Sequence, residues 1–347
     1  MKAAILTEKN KPLVVSDNVR LFSSGEGLKY GQVKVKLLVS GLCGAQLQEI
    51  AGLKNNEKFM PHMLGHEGCG VVEEIGLGVT KVKPGDKVVM HWRKGSGIEA
   101  DFHKYIWDNK TCYRFIGGGK VTTLSEYSVA SENRLTSVDS DIDDEFCALL
   151  GCGLSTGFSV INKEANIKFG ESVLVIGCGG VGLNCIYSAS LSHACPIFGL
   201  DSNPSKRFLV ASNGGQFIHL NEVGSFISKK NKIDCIIDTT GSLPVVSKFL
   251  PLLSAQGRCI LVAQPKPHSL LEISDPINFF SLNGQSIRTT QAGGFDPDVD
   301  IPRYIKLYKN KQICLNNLIT DRIHIDDINQ AIKKLKSGDV GRIMIHF

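Results

Sequence analysis

Short runs of apolar and β-branched residues, separated by glycine and charged turns, make up about the first 150 residues of the chain. Residues 32–39 and 68–76 are two such runs, a Pro-Gly-Asp turn at 84–86 leads into a third run at 87–90, and 122–130 is a fourth. Runs of this length and pattern predict β-strands. The first part of the chain is therefore predicted to be a β-rich domain.

The pattern changes at about Ser172, where strand-like runs begin to alternate with helical segments. The candidate strands are residues 172–176, 196–200, 235–238 and 258–262. This alternation predicts a doubly wound parallel sheet with crossover helices. Because 347 residues is also long for one hydrophobic core, the two patterns predict an α/β chain with two domains.

Composition and charge exclude several classes of protein. The 39 basic and 34 acidic residues are interspersed, and the formal net charge is only +5, so no basic stripe is present that could follow a nucleic-acid backbone. No apolar run approaches the length of a membrane span, and the first residues lack an apolar signal core. We therefore expect a cytoplasmic protein with reduced cysteines that binds neither nucleic acid nor membrane.

A glycine motif follows the first strand of the second pattern. The motif runs from Gly177 through Gly179 and Gly180 to Gly182, and residues 181–191 can form the next helix. The first glycine permits a tight turn, the second lets the backbone approach phosphates, and the last allows close packing of helix on strand. An ordinary strand-to-helix turn is the alternative, but the repeated alternation favours a dinucleotide cradle.

Asp201 ends the next candidate strand. A carboxylate at this position accepts hydrogen bonds from the adenosine ribose hydroxyls and repels a 2′-phosphate. The sequence therefore predicts NAD rather than NADP as the cofactor, and an ordinary surface aspartate is the alternative.

Two thiols and an imidazole, on Cys43, His66 and Cys152, are candidate metal ligands. Such a set suits zinc and leaves the fourth tetrahedral position open for water or substrate, as in a catalytic site. Taken alone, the spacing of the three is no zinc signature, because free cysteine is usually a small buried hydrophobe. Other cysteines outside the candidate ligand set are predicted to be small buried hydrophobes of this kind: Cys69, Cys147, Cys178, Cys185, Cys195, Cys235, Cys259 and Cys314.

Three segments, residues 41–44, 65–68 and 150–157, are similar to the ligand segments of one enzyme family. Further segments match in order along the chain: 84–88, 177–182, 239–241 and 341–345. On these motifs the chain resembles the zinc-dependent medium-chain alcohol dehydrogenases. The resemblance implies that Cys43, His66 and Cys152 bind the catalytic zinc, with Glu67 close to it as a carboxylate that can become a transient ligand.

The same resemblance implies a fold and further contacts. Residues 1–153 and 295–347 are expected to form a GroES-like catalytic domain, and 154–294 an inserted Rossmann domain that binds NAD. Thr156 and Val181 are then expected to pack on the nicotinamide, Lys206 to lie near the adenosine ribose, and Arg342 to bind the cofactor. Relatives commonly pair their Rossmann sheets edge to edge, so the run at 286–290 predicts a homodimer or homotetramer.

Two departures from the family concern the metals and the loop at 91–120. Many relatives hold a structural zinc with four closely spaced cysteines, yet between Lys87 and Lys120 this chain has only Cys112, so we predict one catalytic zinc and no structural zinc. Residues 91–120 form a long insert instead. A surface loop with solvated charges is the favoured interpretation, and a substrate or subunit contact is the alternative.

A third departure concerns proton transfer. Many relatives have serine or threonine two residues after the first cysteine, and some have a histidine further on. Here those positions hold Ala45 and Gln48, and Gln46 stands where an aspartate is common. Alanine cannot carry a proton, so the proton must leave through water, a cofactor hydroxyl, Glu67 or Glu49.

The leading hypothesis is a zinc-dependent oxidoreductase that transfers a hydride between NAD(H) and an alcohol or polyol, or the corresponding aldehyde or ketone. An epimerase or lyase that uses bound NAD without net redox change is one alternative, and a non-catalytic NAD-binding protein is another. The insert is mildly basic, so a sugar-derived or anionic substrate is conceivable. Its basic residues are Arg93, Lys94, Lys104, Lys110, Arg114 and Lys120.

Overall fold

The computed structural model describes residues 1–22, 27–54, 57–108, 113–229 and 231–347. The chain divides into two compact units. The first unit comprises Met1–Ser155, Asp296–Ser337 and Arg342–Phe347, and the second comprises Thr156–Phe295 and Gly338–Gly341.

The first unit is mostly β-structure. Its strands up to the end of the first segment are β1 (Ala3–Leu6), β2 (Val14–Ser16), β3 (Val19–Leu21), β4 (Gln32–Leu42), β5 (His62–Met63), β6 (Glu67–Ile75), β7 (Lys87–His91), β8 (Lys104–Asp108), β9 (Tyr113–Gly117), β10 (Tyr127–Ser131) and β11 (Leu135–Val138). Its helices in this segment are α1 (Gly44–Ile50) and α2 (Asp144–Leu150), and α3 (Gly153–Ser159) carries the chain into the second unit.

The described strands of this unit form two sheets. One has the strand order β2-β1-β5-β9-β8-β3, and the other contains β11-β7-β6-β4 with β10 paired to β4. Along β4, Val33, Val35 and Leu37 are buried in a shared core with Val72 and Val88. These alternate positions point to one face of the strand, which is why the period-2 apolar pattern produces a half-buried sheet.

The interpretation of residues 91–120 as a surface loop is wrong for 104–108 and 113–117, which form the antiparallel pair β8 and β9. Tyr105, Trp107 and Ile116 are buried in a core cluster with Ile5 and Met63. Exposed charged residues on the same strands, such as Lys104 and Arg114, hid the apolar positions in the sequence. Cys112 and Lys110 lie outside the described residues.

The second unit is a parallel α/β sheet. Its strands are β12 (Val173–Ile176), β13 (Ile197–Asp201), β14 (Gln216–His219), β15 (Ile233–Asp238), β16 (Leu253–Leu261) and β17 (Ser286–Thr289). Its helices are α4 (Gly180–Leu191), α5 (Lys206–Ser212), α6 (Val223–Ser228) and α7 (Leu243–Phe249), with π-helical turns at Val160–Ala165 and Ile277–Leu282.

The strand order β14-β13-β12-β15-β16-β17 is that of the Rossmann fold. The chain reverses direction across the sheet after β14, so β12 and β15 flank the topological switch point. Ligands of open α/β sheets bind at the carboxyl ends of the strands at this point. Gly177 follows β12 there, and Thr239 follows β15.

The chain then returns to the first unit through α8 (Pro297–Lys309), β18 (Ile319–His324), α9 (Ile328–Ser337) and β19 (Arg342–His346). β19 pairs antiparallel with β4, next to β18. Gly338–Gly341 belong to the second unit, whereas all of residues 295–347 were assigned to the first domain from the sequence. Hydrogen bonds from Asn203 to Asp339 and from Lys206 to Val340 explain this placement.

The predicted burial is wrong for two cysteines, since Cys195 and Cys314 are exposed. Cys195 lies in the loop before β13 and Cys314 in the loop before β18, where the chain passes over the surface. The predicted strand at 122–130 is also too long, because β10 starts only at Tyr127.

Within the described residues, no single helix is long and apolar enough to cross a membrane. One bent pair of the described helices, Asp144–Leu150 and Gly153–Ala165, meets the criteria for a broken membrane span, and it does so by length and composition alone.

Candidate functional site

Cys43, His66 and Cys152 lie together in the first unit, where their ligand atoms are all within 4.8 Å of one another. Cys43 follows β4 directly, and His66 precedes β6. These strands are antiparallel neighbours in which Ser40 pairs with Gly68, so the two ligands meet at one end of the strand pair. Cys152 enters from the short connection between α2 and α3.

The two thiols of Cys43 and Cys152 interact directly. A hydrogen bond from Cys152 holds the pKa of Cys43 well below its usual range, against the effect of burial. The same hydrogen bond, together with burial, raises the pKa of Cys152. One thiol of the pair therefore gives up its proton readily, and a thiolate is the form that binds a soft cation.

A buried ion pair lies beside the cluster. Arg342 Nη2 is 3.0 Å from Glu67 Oε2, and both side chains are almost fully enclosed. Glu67 Oε2 also accepts the backbone N–H of Gly153 at 2.9 Å, and Arg342 Nη1 donates to the Leu42 carbonyl at 3.3 Å. Burial raises the pKa of Glu67, and the Arg342 guanidinium opposes that shift. The contacts of Arg342 are thus with the metal-ligand region, and its predicted cofactor contact stays a prediction.

The other carboxylate oxygen of Glu67, Oε1, is buried and has no hydrogen-bond partner among the described residues. Burial is the main cause of the raised Glu67 pKa, and the negative charge of a Cys43 thiolate raises it further. Two soft sulfur donors, an imidazole and an unpaired carboxylate oxygen form a donor set that fits a zinc ion.

Glycines in the matched segments make room for the ion pair. A Cβ on Gly153 would lie 1.8 Å from Arg342 Nη2, and one on Gly41 would lie 2.5 Å from Glu67 Oε1. Any side chain at either position would displace the pair. Gly41 and Gly153 therefore have a steric role, because the ion pair occupies the space that a side chain at either position would need.

Gln46 contacts two parts of the cluster, a role that the sequence reasoning missed. It is buried on α1, its Oε1 accepts the N–H of Cys43 at 3.0 Å, and its Nε2 lies 2.7 Å from His66 Nδ1. The available signal was its position, three residues after Cys43, where glutamine completes a helix capping box.

Two acidic residues, Glu49 and Glu67, interact electrostatically with the cluster. Ala45 lies on α1 and offers only a methyl group. Glu49, on the same helix, has its pKa raised by burial, opposed by the charges of Lys54 and His66. Glu49 and Glu67 are therefore both close enough to the ligands to interact with them electrostatically.

The glycine motif of the second unit forms a tight turn between β12 and α4. Gly177 has φ +92°, a left-handed conformation that favours glycine, and a Cβ on Gly182 would lie 1.8 Å from the Gly177 carbonyl oxygen. Thr239 Oγ1 donates to that carbonyl at 2.9 Å. A Cβ on Gly179 would meet no atom within 4 Å, so this part of the loop has space in front of it. Gly180 starts α4, and Val181 follows in its first turn.

Asp201 lies at the end of β13, next to the glycine loop. Its Oδ2 accepts the N–H of Cys178 at 2.8 Å, and its Oδ1 accepts the N–H of Asn203 at 2.9 Å. Lys206 is buried and donates to the Val340 carbonyl, and burial lowers its pKa. The structure thus places Asp201 beside the loop and directs the Lys206 ammonium to the backbone. Thr156, on α3, is buried in the same unit.

The comparisons with known proteins agree with this arrangement. Residues 29–140 match the alcohol dehydrogenase GroES-like domain. The chain is 28% identical to alcohol dehydrogenase class-P of Arabidopsis thaliana, over 99% of this chain and 96% of that protein.

Solved structures with the same fold cover the whole chain. An alcohol dehydrogenase zinc-binding domain protein from Burkholderia ambifaria has a TM-score of 0.85 at 23% identity, over 100% of this chain and 98% of its own. Benzyl alcohol dehydrogenase from Acinetobacter calcoaceticus has a TM-score of 0.83 at 21% identity, over 100% and 99%. The predicted fold class, a GroES-like β-rich domain with a Rossmann sheet, is confirmed. The similarity to curated alcohol dehydrogenases over nearly the whole chain supports the resemblance to the zinc-dependent medium-chain alcohol dehydrogenases.

Proposed function

We propose that the protein is an NAD- and zinc-dependent dehydrogenase that interconverts an alcohol or polyol with the corresponding aldehyde or ketone. The similarity of the chain to alcohol dehydrogenases supports an oxidoreductase that acts on alcohols. The grouping of Cys43, His66 and Cys152 within 4.8 Å is the observation that supports this proposal most directly. In this proposal residues 1–153 and 295–347 form the catalytic domain, and 154–294 bind NAD.

Cys43, His66 and Cys152 would hold one catalytic zinc, and Glu67 would stand beside it with an unpaired oxygen. Bound zinc would polarise the substrate oxygen as a Lewis acid, and bound NAD would exchange the hydride. Arg342 holds the Glu67 carboxylate in place, and its guanidinium opposes the rise in the Glu67 pKa that burial causes. We propose no structural zinc, because Cys112 is the only cysteine between Lys87 and Lys120.

The second unit would bind NAD at its glycine loop. Gly177, Gly179, Gly180 and Gly182 would bring backbone close to the pyrophosphate, and Asp201 would accept hydrogen bonds from the ribose hydroxyls. The position of Asp201 beside the Cys178 N–H supports this role, since the carboxylate is held next to the loop. Thr156 and Val181 are proposed for the nicotinamide, and Lys206 and Arg342 for other parts of the cofactor.

The proton of the alcohol needs a carrier, and Ala45 cannot supply one. Glu67 is the favoured alternative because it lies against the ligands and keeps one oxygen without a hydrogen-bond partner. Glu49 is the second choice, since its carboxylate interacts with both His66 and Cys43.

Two basic residues of the insert, Lys120 and Lys104, contact neighbouring side chains. Lys120 forms an ion pair with Glu99 at 2.6 Å, and Lys104 lies over the Phe115 ring, 6.0 Å from its centroid. Glu99 also pairs with Arg134 at 3.0 Å. These side chains are engaged with neighbours in the same unit, so their charges give little reason to expect a phosphorylated sugar alcohol.

An epimerase or lyase that uses NAD without net redox change remains the second candidate, because Ala45 lacks the hydroxyl that would carry the proton outward. A small-molecule alcohol or carbonyl compound is the partner in either case. We also propose that the protein works in the cytoplasm as a homodimer or homotetramer.

The test is NADH release measured over a panel of simple alcohols, polyols and sugar phosphates. Cys152→Ser should abolish NADH release while the variant still binds NAD, because it removes a metal ligand and leaves the second unit intact. Cys147→Ser, a change at another buried cysteine five positions earlier, is the matched control and should retain activity. Tightly bound NAD that co-purifies without NADH release from any alcohol would instead favour the second candidate.

A further inference from the structure

The amide of Gln46 lies between two groups of the candidate metal cluster. Its Oε1 accepts the backbone N–H of Cys43 at 3.0 Å, and its Nε2 lies 2.7 Å from Nδ1 of His66. Gln46 is only 1% exposed, so water cannot substitute for either contact.

The orientation of this amide follows from its first contact. A backbone N–H can only donate, so the carbonyl oxygen of the amide must face Cys43. The NH2 group must then face His66, and an amide NH2 can only donate. Nδ1 of His66 is therefore the hydrogen-bond acceptor, and the neutral ring carries its proton on Nε2.

Metal binding requires the opposite arrangement. Nδ1 is occupied by Gln46, so the ring offers Nε2 to the two thiols, and a coordinating nitrogen must have a free lone pair. The proton must then move to Nδ1, where it would face the NH2 of Gln46 donor to donor. The amide can turn its oxygen to His66, but its NH2 would then face the N–H of Cys43.

We propose that Gln46 is a positioning residue that weakens zinc binding, because its one carbonyl oxygen can face Cys43 or the metal-binding form of His66 but not both. One buried donor is left unsatisfied whenever zinc is bound, whichever way the amide turns. A carboxylate at the same position has two acceptor oxygens and would satisfy both donors. This inference rests on the proposed function, since it takes the cluster to be a zinc site.

Gln46→Glu is the substitution that tests this. Glutamate also completes a capping box at this helix position, so α1 keeps its cap. Zinc affinity is measured on the full-length chain by competition with a chelator, starting from metal-free protein. We expect Gln46→Glu to bind zinc at least about tenfold more tightly than the wild type, the range for groups that hold a metal-binding histidine.

Gln48→Glu is the control for added charge. Position 48 lies on the same helix, but residues two apart do not face the same way, so the new carboxylate would not replace the amide at His66. Its zinc affinity should change much less. Equal tightening in both variants, or no tightening in Gln46→Glu, would overturn the inference while leaving the zinc site itself in place. A wild-type chain that takes up no zinc at all would overturn the proposed function as well.

A measurement on the wild type does not depend on how the variants fold. The ¹⁵N chemical shifts of His66 report which ring nitrogen carries the proton. We expect the proton on Nε2 in the metal-free protein and on Nδ1 after zinc is added. A metal-free wild type that already carries the proton on Nδ1 would overturn the inference.

Discussion

Nη2 of Arg342 lies 3.0 Å from Oε2 of Glu67, and neither side chain has more than a few per cent of its surface exposed. Arg342 comes from the last strand and Glu67 from β6, so the pair joins the first and last chain segments of the first unit. The Arg342 guanidinium also balances the charge of a carboxylate that lies beside the candidate metal ligands. Breaking the pair is therefore expected to affect both the stability of the first unit and the electrostatics of the candidate metal site.

Arg342→Gln should destabilise the first unit by about 3–5 kcal/mol, because it leaves the Glu67 charge buried without a partner. Arg322→Gln is the matched control, since Arg322 pairs with Glu145 but is 54% exposed, and it should cost about 1 kcal/mol or less. The measurement is denaturant unfolding of the metal-free chain. Adding Glu67→Gln to Arg342→Gln should recover part of the loss, and equal losses for both arginine variants would contradict this account.

Asp201→Asn should raise catalytic efficiency with NADP by about tenfold or more, because a charge that opposes the 2′-phosphate is removed. Asparagine keeps the shape and one of the two acceptors that hold the loop at Cys178 and Asn203. The wild type should strongly prefer NAD in the same assay. Equal efficiency with both cofactors in the wild type would mean that Asp201 has another role.

Ala45→Ser should change the pH dependence of alcohol oxidation, because a hydroxyl there could carry the proton away from the substrate. Ala51→Ser, at the other end of α1, is the control and should leave the profile unchanged. Glu67→Gln and Glu49→Gln should slow turnover only if the carboxylate lies on the proton route, and we expect the larger effect at Glu67. Unchanged profiles in every variant would assign proton release to water alone.

The sequence could predict those parts of the fold and site that depend on local chain properties. The motif at Gly177 could be located because a strand, a tight turn and a helix N-terminus are adjacent in the chain. The run at 32–39, which contains Val33, Val35 and Leu37, could be predicted as a strand because a short apolar and β-branched run is a local signal. The candidate ligands could be named only through their matched segments, since nothing in their spacing brings Cys152 to Cys43.

Contacts between distant segments could not be predicted. The pairing of Arg342 with Glu67 and the position of Gln46 between Cys43 and His66 depend on how β4, β6 and β19 lie in one sheet. The strands β8 and β9 were missed because their few buried residues, such as Trp107, lie close to exposed charged ones, such as Lys104 and Arg114. A solvated loop and an outer strand have similar sequences when one face is polar.

The oligomeric state should depend on the edge of the second unit. β17 pairs with β16 and ends the strand order of its sheet, and Leu282 just before it is 71% exposed. Leu282→Asp should weaken a dimer by about tenfold or more, whereas Leu77→Asp, a change at an 81% exposed leucine of the first unit, should not. Light scattering at micromolar concentration measures both, and a monomeric wild type would contradict the prediction.

The zinc content of the freshly purified, active protein, measured by elemental analysis, tests the central claim most directly. We predict one zinc per chain, lost in Cys152→Ser and retained in Cys147→Ser, because Cys43, His66 and Cys152 bring soft donors within 4.8 Å of one another. Two zinc ions per chain would contradict the absence of a structural site. Active protein without zinc would contradict the proposed chemistry itself.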